Sequence, residues 1–122
     1  MTDVLRYTQV SDPDNLAEDC LLAMDNLRKT EYSTVEATNT LKYTNAVYRG
    51  INTLVRAPDG YVFELQYHTP QSLEIKEINH KLYEEQRLAS TSIARKLVLK
   101  KQMRDNARKI EMPIGIEKVD DI

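Results

Sequence analysis

Two adjacent stretches limit what this chain can fold into: the turn Pro58-Asp59-Gly60 and the segment Tyr61–His68 that follows it. On a β-strand, successive side chains point to opposite faces. Tyr61, Phe63, Leu65 and Tyr67 then share one face, which suits a core. Val62, Glu64, Gln66 and His68 share the other. A carboxylate, an amide and an imidazole at successive same-face positions make that face the candidate for chemistry. Pro58-Asp59-Gly60 supplies a tight turn, with glycine available for positive φ. It joins Tyr61–His68 to the apolar-rich segment Val47–Arg56 as a hairpin.

The flanking sequence supplies the other elements. Val4–Val10 alternates and reads as a strand. Ser11-Asp12-Pro13 reads as a helix start. Leu16, Cys20, Met24 and Leu27 recur at three- and four-residue spacing on a helix that runs to about Lys29. Tyr32–Tyr43, rich in Thr, Val and Tyr, reads as a further strand. A helix capped by Thr69 or Ser72 runs to about Arg87, with Ile75, Ile78 and Leu82 toward the core. Ala89–Ser92 interrupts it, and a last helix spans about Ile93–Ile110. The order β-α-β-β-β-α-α predicts an α+β domain with a mixed or antiparallel sheet of about four strands, covered by helices. A single domain is expected over 1–112, with its core at 3–88 and a basic helix at 92–110. A loop or frayed tail is expected over 113–122.

At 122 residues the chain suits one domain with a modest core. No apolar run approaches the ~20 residues that cross a bilayer, and the N-terminus lacks the pattern of a signal peptide. A cytoplasmic location is expected. Cys20 is the only cysteine, which excludes an internal disulfide and points to a buried structural thiol. One cysteine and two histidines leave little material for a zinc cluster. The net charge of −2 hides an asymmetry: Arg87–Lys109 holds eight basic residues and one acid, Asp105. Such a run either holds phosphates or is a solvated helix face.

Four segments then appear in one order: Asp3-Val4-Leu5-Arg6-Tyr7, Tyr48-Arg49-Gly50-Ile51-Asn52, Glu64-Leu65-Gln66-Tyr67-His68-Thr69 and Glu77-Ile78-Asn79-His80. Together they resemble the RelA/SpoT alarmone synthetase domain over roughly residues 3–85. The pattern is closer still to a divergent branch found as toxin-like C-terminal modules and near phage head proteins. The resemblance implies a RelA/SpoT nucleotidyltransferase-like fold. It implies Mg²⁺-dependent pyrophosphate transfer from ATP to the 3′-hydroxyl of a purine nucleotide, such as GTP or GDP, or of an RNA end. Asp3 and Glu64 would hold the metal. Glu64 and Gln66 would be catalytic. Tyr48 would stack on the base, and Arg49, Asn52, His68 and His80 would bind the nucleotide. The implied partners also include a cognate inhibitor or a larger parent protein, but no membrane. A toxin module would be delivered into a target cytoplasm.

The pattern also departs from that family. The loop serine and histidine are Gly50 and Asn52 here, and the strand arginine is His68. Only two residues precede Asp3, where the family has a basic helix that grips ATP. Each change removes charge or a donor from a site for anionic substrates. The alternative is therefore a degenerate, non-catalytic module that binds nucleotide, RNA or protein. An ADP-ribosyltransferase is excluded by order, because Ser90-Thr91-Ser92 follows Glu64-x-Gln66 instead of preceding it.

Overall fold

The computed structural model describes residues 5–122. Four strands form one sheet: β1 (Arg6–Val10), β2 (Ser33–Asn39), β3 (Ile51–Arg56) and β4 (Val62–His68), in the spatial order β1-β4-β3-β2. β1 runs parallel to β4, and the remaining pairs are antiparallel. The helices are α1 (Leu16–Lys29), α2 (Pro70–Gln86) and α3 (Ile93–Arg108), followed by a 3₁₀ turn at Ile116–Lys118. The α+β class, the mixed four-stranded sheet and the element order agree with the sequence reading. No helix among the described residues is long and apolar enough to cross a membrane.

Register explains the two faces. Ile51 pairs with Tyr67 and Thr53 with Leu65, so these side chains share a face. Ile51 and Tyr67 there meet Leu16, Ala17 and Cys20 of α1 in the main core. Burial pushes the Cys20 thiol up to about 12, as for an inert structural cysteine. On the opposite face Asn52 pairs with Gln66, and in parallel register Arg6 aligns with Glu64. The hairpin closes as expected: Gly60 has φ of 89° and its N–H donates to the Ala57 carbonyl.

Three expectations are corrected. Ser11-Asp12-Pro13 does not start α1. The Ser11 N–H extends the β1 ladder by donating to the His68 carbonyl, and a turn intervenes before Leu16. Ile78 is 42% exposed rather than in the core. The segment 113–122 is no frayed tail. Ile116 and Val119 are buried in the core, and the Asn39 side-chain amide donates to both their carbonyls at 2.9 Å. Ile122 exchanges backbone hydrogen bonds with Ala37. The physical reason is the open edge of β2, whose unpaired backbone groups this segment covers. The three-residue spacing of Ile110, Pro113, Ile116 and Val119 was the available signal.

Candidate nucleotide site

β4 presents Glu64, Gln66 and His68 in line, and each meets a different neighbour. Glu64 lies on the open part of the sheet face. Its carboxylate accepts from Arg6 Nε at 2.8 Å and its side chain is 22% exposed. Gln66 is buried, and its Oε1 accepts from Lys76 Nζ at 2.9 Å. His68 is fully buried at the start of α2. There Thr69 and Ser72 form a capping box, in which each side chain accepts from the other's backbone N–H.

His68 belongs to a chain of hydrogen bonds. Its Nδ1 lies 2.9 Å from Ser72 Oγ, and its Nε2 lies 3.0 Å from Tyr48 Oη. Tyr48 Oη donates to Asn52 Oδ1 at 2.7 Å. Burial holds the Tyr48 hydroxyl protonated, up to about 12. Because that hydroxyl donates to Asn52, it accepts from Nε2–H, which leaves Nδ1 as the ring's acceptor toward Ser72 Oγ, a hydroxyl that also lies 3.2 Å from the Thr69 carbonyl. Desolvation, reinforced by Lys76, pushes His68 down to about 4. The imidazole is therefore neutral near pH 7. The Tyr48 and His68 rings meet edge to face at 5.8 Å and 88°.

Gly50 makes this packing fit. A Cβ built there would stand 2.4 Å from His68 Cε1 and 2.8 Å from Tyr48 Oη. The imidazole fills the volume that a side chain at position 50 would need. Gly50→Ala is therefore expected to cost about 1–3 kcal/mol through overpacking, read as a lower urea midpoint. An unchanged midpoint would mean that the ring yields freely.

The structure places the other predicted residues as follows. Arg49 is 2% exposed and faces no solvent. Its guanidinium donates to the carbonyls of Leu41, Ala107 and Ile110, so it ties the 41–49 loop to the C-terminal end of α3. This corrects its expected role on phosphate or ribose. The cause is the helix end, whose last carbonyls lack intrahelical partners. His80 does not bond back to the strand. It lies exposed on α2 with its Nε2 3.3 Å from Glu84. Asp3 lies outside the described residues. Among the described residues no group of three or more His, Cys, Asp or Glu could hold a metal ion. Of the two predicted magnesium ligands only Glu64 can be placed, and Arg6 already engages it.

Two clefts meet at this face. One, of about 520 Å³, is lined by Val47, Tyr48, Ile75, Tyr83 and Met103, with Arg49, Lys76, His80 and Lys100 among its polar positions; Arg49 contributes to this wall although it is only 2% exposed. The second, of about 540 Å³, carries Arg6, Glu74, Glu77 and Lys81. Lys76 and His80 line both. The sequence reading assigned no role to Arg6 or Lys76, and to Ser72 only that of a candidate helix cap. The signals were weak: a parallel register for Arg6, and for Lys76 an i, i+4 spacing to His80 on one helix face.

Compared by sequence, the chain matches no family model and no curated protein. Compared by structure, it is similar to the small alarmone synthetase 1 of Bacillus subtilis bound to its product pppGpp, at 14% identity and a TM-score of 0.55. That match covers 84% of this chain and 56% of the other. A GTP pyrophosphokinase family protein from Streptococcus pneumoniae aligns at 18% identity and a TM-score of 0.57, over 84% of this chain and 51% of the other. The Type VI effector Tas1, solved with its immunity protein, aligns at 16% identity and 0.52, over 90% and 69%. The chain thus spans just over half the length of the first two. At these identities the likeness shows the fold, which is that of the small alarmone synthetases, as the resemblance implied.

Proposed function

We propose that the chain binds a purine nucleotide in the apolar cleft and transfers pyrophosphate from ATP to its 3′-hydroxyl. The observation that carries this reading is Glu64. Its carboxylate stands on the open polar face of β4, held at 2.8 Å by Arg6, a residue that lines the second cleft, which shares Lys76 and His80 with the apolar one. The fold supports it, and Tyr48 lines the cleft as a base-stacking surface.

In the proposed step the acceptor's 3′-hydroxyl donates to Glu64 and gives up its proton there. The 3′-oxygen bonds to the β-phosphorus of ATP. The bond from that phosphorus to the α–β bridging oxygen breaks, and AMP leaves with the oxygen. Cationic side chains offset the charge that develops on the transferred group. Magnesium would supply further neutralisation when bound. No step is derived through it, because the described residues provide one carboxylate for it.

A second reading, a binding module without turnover, is favoured by Arg49 and His68. One is buried with both its amino groups on main-chain carbonyls and the other is neutral, so both offer the site less charge than an exposed cation would. Incubation with ATP, GDP and Mg²⁺, followed by quantitation of AMP, separates the two readings, because simple hydrolysis releases ADP. Acceptor-dependent AMP is expected, with Glu64→Gln lowering its rate on the order of 100-fold while GDP still binds. GDP binding without any AMP would select the binding module. Equal turnover in Glu64→Gln would remove Glu64 from the mechanism.

A further inference from the structure

We infer that Lys76 is the phosphate-binding cation of this site, holding the polyphosphate of the nucleotide where the two clefts meet. This rests on the nucleotide reading above and adds to it the group that recognises the anion.

Two groups expected to bring positive charge to the site are turned to other uses. The family's strand arginine is replaced by His68, which is buried, neutral and hydrogen-bonded at both ring nitrogens. The arginine of the loop, Arg49, is buried on three carbonyls. A site for a nucleoside diphosphate or triphosphate needs a cation from elsewhere, because phosphate oxygens are recognised by charge-assisted donors.

Lys76 meets the requirement by position. It lies on α2 one turn before His80 and lines both clefts. It shares the first cleft with Tyr48, so a base against the tyrosine could direct its phosphates toward the ammonium. The side chain is half-buried, and its one hydrogen bond goes to the neutral amide of Gln66. That leaves two of its three N–H donors for a ligand.

Charge balance is an independent observation. The neighbouring cation Arg6 is paired with Glu64. Lys76 forms no ion pair among the described residues; the pairs there involve Arg6, Arg28, Lys29, His80, Arg87, Arg95 and Arg108. Glu64 and Glu77 act on Lys76 through space, but neither bonds it, and burial still lowers its pKa from the usual lysine range. An anion entering from either cleft supplies the missing partner. The remaining nearby cations, Lys81 and Lys100, each line only one cleft.

The test is a calorimetric series on the full chain with guanosine, GMP, GDP and GTP, comparing wild type with Lys76→Met. Methionine keeps the apolar stem and removes the charge. Wild type is expected to bind GDP at least tenfold more tightly than guanosine. Lys76→Met is expected to lose about tenfold or more for GDP with guanosine affinity unchanged, and Lys76→Arg to retain part of the gain. Wild-type GDP affinity in Lys76→Met would overturn the assignment while leaving the nucleotide site standing. Failure of the wild type to bind any of the four would overturn both. If Lys76→Met does not fold, Lys76→Gln, which can still donate to Gln66, gives the same comparison.

Discussion

Replacing Arg49 with methionine is expected to destabilise the protein by about 3–5 kcal/mol, because several buried carbonyls lose their only charged donor together. The carbonyls of Ala107 and Ile110 accept at 3.0 and 2.9 Å, and Leu41 accepts from the second amino group. Two of these lie at the end of α3, where orphan carbonyls and the helix dipole both favour a cation. The third lies in the loop that carries Tyr48. One guanidinium therefore joins α3, the loop and, through Gly50, the start of β3. Methionine fits the volume and satisfies none of these acceptors. The melting temperature should fall by roughly 10–20 °C. Arg49→Lys should fall between, since a single ammonium cannot span the same fork of acceptors. A shift of only a degree or two would show that the guanidinium is not structural. A stable variant that had lost GDP binding would return Arg49 to the phosphate role read from the sequence.

That misplacement of Arg49 shows where sequence reasoning ends. The alternation of Tyr61–His68 was legible because a strand's period fixes which side chains share a face, whatever packs on them. The Thr69 cap and the turn at Gly60 were legible because both depend on local backbone geometry. What a polar side chain meets depends on segments far away. Arg49 finds its acceptors 58 and 61 residues later, and Asn39 finds Ile116 and Val119 across 77 and 80. Motif order therefore located the polar face and the Tyr48 loop but could not separate Arg49, turned inward, from Lys76, turned to the cleft. His68 was misread for a related reason. Its charge depends on burial, in the space left by Gly50, and on the Lys76 ammonium eight residues along, and neither is visible in the pattern Glu-x-Gln-x-His.

Acid is expected to destabilise the protein through His68. The ring is fully buried, and its value is lowered from 6.5 to about 4, first by desolvation and then by the Lys76 charge. The folded state therefore binds fewer protons than the unfolded state between these values. Stability is complete above about pH 6.5 and declines as pH falls toward 4, by up to about 1.4 kcal/mol per unit and about 3 kcal/mol in all. Protonation would place a second N–H at Nδ1, facing Ser72 Oγ, and would turn the Ser72 hydroxyl to the Thr69 carbonyl at 3.2 Å. It would also bring a buried imidazolium toward the unpaired Lys76 ammonium. Urea midpoints at pH 7.5, 6.5, 5.5 and 4.5 measure the effect. His68→Gln cannot titrate and should flatten the profile across the window, whereas His80→Gln, altering the exposed histidine paired with Glu84, should leave the slope in place. Parallel profiles for wild type and His68→Gln would mean that the imidazole is charged in the folded protein. The ring would then be a cation after all, and the shortage of positive charge that assigns the phosphate to Lys76 would disappear with it.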